Sequence, residues 1–352
     1  MEPSLASKLP PPDKDIVISN ESAYQIALDS FDNNDFHNAF KFWKLAAGKG
    51  CPESQFCLGY LHQYGYGIKQ DYKKAMEWYQ KGAEQDHSKS QYYIGILYRN
   101  GLGVSQDDKQ AVIWYQKSAK QGYVYAQNDL GHMYDNGLGI KQDQLQAMYY
   151  YELAAEQGYA RSQNNLGIKY AEGEVVTQDL EQAFYWYNKS AILGYRRAQY
   201  NIGCMYSNGE FVEQDKDMAF YWYLKAAEQD HHKAQNNLGV MYEKGDNGEQ
   251  DEDKAVAWYR KSAEQGNPEA QYNLGVAYRD GKGLWLNRIR AELWLHKACE
   301  AGNQDACVEK QELRELGIDI YYVISILFSS LAQLKAYLVL RLNDTFEKRS
   351  SS

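Results

Sequence analysis

A glycine recurs every 36 residues through most of the chain, at Gly59, Gly95, Gly131, Gly167, Gly203, Gly239 and Gly275, and no insertion breaks the step. Gln55, Gln91, Gln127, Gln163, Gln199, Gln235 and Gln271 keep the same interval, as do Ala75, Ala111, Ala147, Ala183, Ala219, Ala255 and Ala291. Trp78, Trp114, Trp186, Trp222, Trp258 and Trp294 follow it too, with Tyr150 in the slot that lacks a tryptophan. A strict period of this length means that one supersecondary building block is used repeatedly, each copy needing its neighbours to bury its apolar face. Seven copies fill residues 51–302.

Within a copy, "AQYNLGVAY" sets Ala270, Leu274 and Tyr278 at helical spacing, and "DEDKAVAWYRKSAEQG" does the same for Ala255, Trp258, Tyr259, Ser262 and Ala263. This pattern predicts two helices per repeat, A and then B. The linkers "NGLGVSQ" and "NGLGIKQ" open on a glycine suited to a left-handed helix end and lead to an Asp suited to cap the next helix. Asp107, Asp143 and Asp179 each have Gln three residues on, the pattern of a reciprocal capping box. The recurring glycine falls in the middle of helix A, where it costs about 1 kcal/mol relative to alanine. Packing must offset that cost. The expectation is that the missing side chain lets helix B, with its small Ala255-type residue, come close enough for the neighbouring Trp to fill the groove.

The combined pattern, Gln-x-x-Leu-Gly-x-x-Tyr-x-x-Gly followed by Asp-x-x-x-Ala-x-x-Trp-Tyr-x-Lys-x-Ala-x-x-Gly, resembles the Sel-one-like repeat, a longer relative of the tetratricopeptide repeat. The resemblance implies an all-α, right-handed superhelical solenoid with helix A lining the inner face, used as an adaptor in protein complexes. It implies no reaction. Two flanks depart from the pattern. Residues 20–50 read as a shortened first helix pair in which Ala39, Ala47 and Gly50 keep register and Phe42 stands for Trp, and "NQDACVEKQELREL" begins an eighth helix A without the Leu-Gly-x-x-Tyr core. Both are read as caps, because end repeats otherwise expose apolar faces. The seventh repeat puts Leu286-Asn287 where others carry Gln-Asp and adds Trp285 before it, so its loop is expected to meet something other than water. The organisation is thus a disordered tail over 1–19, a capping pair over 20–50, seven repeats over 51–302, a capping helix and an apolar helix over 303–342, and a second tail over 343–352.

The formal charge of −9 with scattered Lys and Arg speaks against a nucleic-acid surface. The opening "MEPSLASKLPPPDKD" lacks the apolar run of a secretory leader, and the expected location is cytoplasmic. The Gly-x-Gly loops lack the Lys-Ser/Thr of a phosphate cradle and read as turns. His231-His232 reads as an inter-repeat loop pair, and no histidine has ligand-like company, so neither metal nor cofactor is expected. No nucleophile comes with a base and an orienting group, and the sequence varies smoothly from repeat to repeat; a repeat-fold hydrolase is therefore the lesser alternative. Cys299 and Cys307 lie eight residues apart across the turn from one helix B to the next helix A. Cysteine-rich secreted members of the resembled family bridge this junction, but in a reducing cytoplasm two free thiols are the expectation. The apolar stretch Ile318–Leu342 contains an uncharged run of only 15 residues, Ile320–Leu334. That is shorter than the roughly 20 a membrane span requires. A capping or partner-binding helix is expected there, with a membrane-tethered adaptor as the alternative.

If helix A lines the inner face, residues at fixed offsets from the glycine point into the groove and vary between repeats while the frame does not. Tyr92, Asn128, Asn164, Tyr200, Asn236 and Tyr272 form one such row, and Arg161, Arg197 and Lys233 stand six residues before their glycines. Asparagine amides can bond both backbone groups of an extended peptide, tyrosines offer apolar faces with a polar tip, and the cations favour acidic segments. The expected partner is a protein or peptide, acidic or phosphorylated, and the expected role is that of a non-catalytic scaffold.

Overall fold

The structure is a computed structural model that describes residues 19–246, 248 and 250–315. The tail expected over 1–19, except for Ser19, lies outside these residues, as do the apolar segment 318–342 and the tail 343–352. Among the described residues there are 17 helices and no strand. The A helices are α1 (Asn20–Asp32), α3 (Pro52–Tyr64), α5 (Ser88–Asn100), α7 (Val124–Asn136), α9 (Ala160–Glu172), α11 (Arg196–Asn208), α13 (His232–Lys244), α15 (Pro268–Asp280) and α17 (Gln304–Glu315). The B helices are α2 (Phe36–Gly48), α4 (Tyr72–Ala83), α6 (Asp108–Lys120), α8 (Gln144–Glu156), α10 (Leu180–Ile192), α12 (Lys216–Ala227), α14 (Glu252–Glu264) and α16 (Arg288–Glu300). The chain divides inside α10 into two compact halves, Met1–Trp186 and Tyr187–Ser352. In each half an A helix packs on its own B helix and that B helix packs on the next A, which is the tandem packing of an all-α repeat solenoid.

The repeat glycine is explained by the residue after the tryptophan, not by the tryptophan. A Cβ on Gly59, Gly95, Gly203 or Gly239 would lie 2.5–2.7 Å from ring carbons of Tyr79, Tyr115, Tyr223 or Tyr259. In the seventh repeat Leu295 takes the tyrosine's place, 2.8 Å from the position of a Gly275 Cβ. The ring therefore lies flat on the bare backbone of helix A. Its hydroxyl is then held by the same helix: Tyr79 donates to Gln63 Oε1 at 2.8 Å, Tyr151 to Asp135 Oδ2 at 3.2 Å and Tyr259 to Glu243 Oε2 at 2.6 Å. In the first pair Trp43, buried, holds this slot, and the Phe42 read as the tryptophan's substitute is only half-buried. The tryptophans do a different job. Trp78, Trp114 and Trp258 pack on the cluster formed by the preceding repeat's B helix and their own repeat's A helix, each with the lysine three residues on lying 4.0–4.2 Å from the centre of its ring. Tyrosine closes a repeat on itself, and tryptophan with its cation–π cover joins repeats.

The recurring glutamine ties three helices together. Nε2 of Gln199, Gln235 and Gln271 donates at 3.2 Å to the carbonyls of Ala191, Ala227 and Ala263 in the last turn of the preceding B helix. Oε1 of Gln91, Gln127, Gln199 and Gln235 accepts from Gln121, Gln157, Gln229 and Gln265, at the end of the repeat's own B helix, at 2.7–2.8 Å. One buried amide thus satisfies a helix-end carbonyl and is itself satisfied. The seventh repeat carries Ala301 in the donor's slot, and Gln271 Oε1 is buried without a partner. Ala301→Gln, at an exposed helix end, is expected to stabilise the last repeat by about 1 kcal/mol. Hydrogen exchange of α16 and α17 reads this directly; unchanged protection would refute the account.

The linkers behave as turns. Gly101, Gly137, Gly173, Gly209 and Gly281 end their A helices with φ of 65–74°, in the left-handed region. The second glycine of the loop is needed for contact as well as for φ, since a Cβ on Gly139 would meet the Asp108 carbonyl carbon at 2.3 Å. The Asp caps form only half of the expected box: Asp107, Asp143 and Asp179 accept from the backbone N–H of Gln110, Gln146 and Gln182 at 2.9–3.0 Å. Their own N–H groups donate to the carbonyls of Tyr98, Tyr134 and Tyr170 instead, so the glutamine has no donor left to satisfy. His231 lies in the inter-repeat turn and is the N-cap of α13, its ring accepting from Ala234 N–H, while His232 is the first residue of the helix. Cys299 and Cys307 form a disulfide joining α16 to α17, against the expectation of free thiols. Register brings their Cα atoms to 4.8 Å across the B-to-A turn, within bridging range.

Candidate protein-binding surface

In the first half, the row headed by Tyr92 is more deeply seated than its variability implied. The Tyr92 ring packs against Tyr115 and Tyr123, and its hydroxyl donates to Asp129 Oδ2 at 2.9 Å. Burial, and then the Asp129 charge, hold this phenol far above its ordinary range. Asn128 is 2% exposed; its amide donates to Asp129 Oδ1 at 2.8 Å and its carbonyl accepts from Ser162 Oγ at 3.0 Å. Asn164 is 1% exposed. Arg161 is exposed. Arg99 lies 3.4 Å from His132 Nδ1, and burial together with the Arg99 charge keeps that imidazole's pKa low.

In the second half, three of the predicted residues share one concavity. Tyr200 of α11, Lys233 and Asn236 of α13, with Asn237, Asn267 and Glu269, line an open pocket of about 250 Å³. Lys233 is exposed, and so is Arg197, one helical turn before Tyr200. Tyr200 stacks on His231 with ring centroids 4.7 Å apart. That histidine is driven down to about 4 by burial and by the surrounding His232, Arg196, Arg197 and Lys233, so the surroundings are electropositive and the ring is neutral at pH 7. Asn236 is 9% exposed and accepts from Asn273 Nδ2 at 3.0 Å. Tyr272 is half-buried next to the helix α17 carboxylates: burial, then Glu309 and Asp305, raise its phenol. The asparagines thus already have partners inside the protein or are buried, while Arg197 and Lys233 are exposed and Tyr200 lines the pocket.

The groups that sequence reasoning passed over sit two residues before the glycine or on a helix N-terminus. Asp129 and Asn237 occupy the first position, and Asn267 and Glu269 the second. The signal was present, because the position before-but-one varies between repeats as much as its neighbour does. A second departure is Lys169, which holds a slot filled elsewhere by Leu61, Leu97, Met133, Met205 and Met241. Its side chain is 9% exposed, and its Nζ donates to Asp135 Oδ1 at 2.6 Å and Gln144 Oε1 at 2.9 Å. The variation between repeats is therefore not smooth here, and the polar groups it gathers are spent on one another.

Stacked helix pairs that present variable side chains from a constant frame define a protein-interaction repeat scaffold. The Sel1 repeat family matches residues 33–51, 52–87, 88–123, 124–159, 160–195, 196–231, 232–267 and 268–303, and the chain belongs to this family. Sel1 repeats generally mediate protein–protein interaction and are typically non-catalytic scaffolds. Among solved structures, the chain is similar to a protective antigen present in uropathogenic Escherichia coli strains that displays an SLR fold, with 34% identity and a TM-score of 0.75 over 85% of this chain. It spans 65% of that protein's length. It is also similar to a Sel1 repeat protein from Oxalobacter formigenes, with 31% identity and a TM-score of 0.64, covering 84% of this chain and 86% of that one. A search of curated proteins found no match to the chain. Among the described residues, no helix is long and apolar enough to cross a membrane.

Proposed function

We propose that this protein is a non-catalytic scaffold that binds an acidic or phosphorylated peptide segment of a partner protein on its A-helix face, with the contact centred on Arg197, Tyr200 and Lys233. The observation that carries this reading is the concavity lined by Tyr200, Asn237 and the exposed Lys233, with exposed Arg197 one helical turn before Tyr200, in an otherwise acidic protein. The charges that suppress protonation of His231 are those that would attract an anionic segment. Tyr200 offers a ring face to the peptide, and Glu269 on the rim disfavours anions placed too far toward α15. The Cys299–Cys307 bridge fits an oxidising compartment better than the cytoplasm expected from sequence.

The test titrates fluorescent hexaglutamate and phosphoserine peptides into the full chain and follows anisotropy at two salt concentrations. Binding is expected to weaken as salt rises, because exposed charges are screened within about 10 Å at 0.1 M. Arg197→Ala with Lys233→Ala is expected to lower affinity at least about tenfold, with helical content and melting unchanged because both side chains are exposed. Binding that survives the double change, or no binding by the wild type, overturns the reading.

A further inference from the structure

The seventh repeat breaks the polar pattern of its predecessors at one place, and the break is apolar. Trp285, Leu286, Ile289 and Leu293 are 94%, 67%, 55% and 39% exposed. In the sixth repeat the first three slots hold Glu249, Gln250 and Asp253, and in the fifth Glu213, Gln214 and Asp217. The change at Leu286 also forfeits a bond: Gln70, Gln142, Gln178 and Gln214 in the same slot each donate to a carbonyl near the end of their A helix at 2.7–2.8 Å. A polar residue that caps a helix has been replaced by a leucine left in water. Trp285 and Leu286 have no apolar counterpart in the other repeats, whereas the Ile289 slot holds exposed Leu145 in the third repeat and the Leu293 slot holds exposed Ile113, Tyr149, Tyr185 and Tyr221; the adjacent pair, extended by Ile289 and Leu293, forms an apolar surface that something covers.

The geometry points to the cover: we propose that the chain's own apolar segment, Ile318–Leu342, lies against the face formed by Trp285, Leu286, Ile289 and Leu293. Three observations favour this occupant. The chain leaves α17 at this very place, because Arg288, between Leu286 and Ile289, donates to the Leu313 carbonyl at 3.3 Å. Only two residues separate Glu315 from Ile318, so the segment starts beside the face with no linker to span. Charges also match. Asp319, the single acid in the segment, falls only four residues after Glu315 in the chain, and Arg288 stands beside the last turn of α17. Its two bases, Lys335 and Arg341, are opposite in charge to Asp251, Glu252 and Asp253, which wall the open depression of about 780 Å³ beside Trp285. Folding the segment back would remove two apolar surfaces from water at once.

The experiment uses the full chain and gives the seventh repeat the sixth repeat's residues: Trp285→Glu, Leu286→Gln and Ile289→Asp. None of the three is buried, so the repeats should fold and melt as in the wild type. Brief chymotrypsin digestion is followed by intact mass, scoring cuts at Tyr321, Tyr322, Phe328 and Tyr337. The variant is expected to be cut at these sites at least about tenfold faster than the wild type, because the segment has lost its cover. Asp319→Lys, which leaves the repeats untouched, is expected to accelerate the same cuts and keeps the test decisive if the triple variant misfolds. Equal rates in wild type and both variants overturn the proposal. So does a wild type that floats with phosphatidylcholine–phosphatidylglycerol vesicles, which assigns the segment to a membrane, or one that is dimeric where the triple variant is monomeric, which assigns the face to a second copy.

Discussion

Gly239→Leu is expected to cost the second half more than about 3 kcal/mol of stability. The Cβ alone would sit 2.5 Å from Cδ1 and Cε1 of Tyr259 and 3.1 Å from the Ala255 carbonyl oxygen. Tyr259 cannot withdraw, being 2% exposed and tied through its hydroxyl to Glu243. Gly239→Ala separates the competing effects: alanine gains about 1 kcal/mol of helix propensity but incurs an overpacking strain of about 1–3 kcal/mol. A small net loss is expected for alanine and a large one for leucine, whose remaining carbons force α13 off α14. Removing the obstruction in Gly239→Ala/Tyr259→Ala should leave a further loss from the missing ring, yet less than the two single losses summed. Urea unfolding followed by circular dichroism reads each value. Gly239→Leu with wild-type stability would refute the close approach of ring to backbone.

Lys169→Met is expected to destabilise the first half by about 2–4 kcal/mol, although methionine is what other repeats carry in this slot. Methionine fits the space; the cost comes from Asp135, whose carboxylate loses the ammonium at 2.6 Å while remaining largely desolvated at 21% exposure. Asp135 keeps the Tyr151 hydroxyl at 3.2 Å, and its partial exposure to water places the expected loss below that of a wholly buried pair. Changing both partners to the residues of the fifth repeat, Lys169→Met with Asp135→Ser, should recover most of the stability, since no charge is then left unpaired. The four-variant cycle isolates the coupling energy. A coupling near zero would mean that the pair contributes nothing and that the lysine is merely tolerated. The pair joins consecutive repeats, α7 to α9, and among the described residues this Lys–Asp contact occurs once. In a chain of near-identical repeats such a unique contact penalises slipped or swapped pairings, a registry role of the kind known for single buried polar residues in coiled coils.

The period, the helix pairs, their start at Asp and their stop at glycine are local properties, so residue spacing determined them without help. Helix periodicity depends on neighbours three and four residues apart, and a left-handed cap needs only a residue without a Cβ. The frame of Gln, Leu, Gly and Ala could likewise be separated from variable positions, because seven copies in one chain compare themselves. Which bulky residue lies on the bare glycine was not determined. Trp258 and Tyr259 are adjacent, and about 100° of helix rotation decides that tyrosine closes its own repeat while tryptophan reaches the preceding one. The glutamine's purpose was also hidden, for its partners lie 8 and 30 residues away on two different helices. The same holds for the proposed binding row: variability distinguished Asn128 and Asn236 from the frame, but only tertiary packing revealed that their amides join neighbouring A helices through Ser162 and Asn273. Cys299 and Cys307 show the division most plainly. Their spacing left bridge and free thiols both open, and the turn between α16 and α17, by setting two Cα atoms 4.8 Å apart, decided for the bridge. Sequence determines what each segment forms because those interactions are short-range in the chain; the tertiary structure decides which side chains are spent on the fold and which remain for a partner, because that depends on contacts between segments that no local pattern encodes.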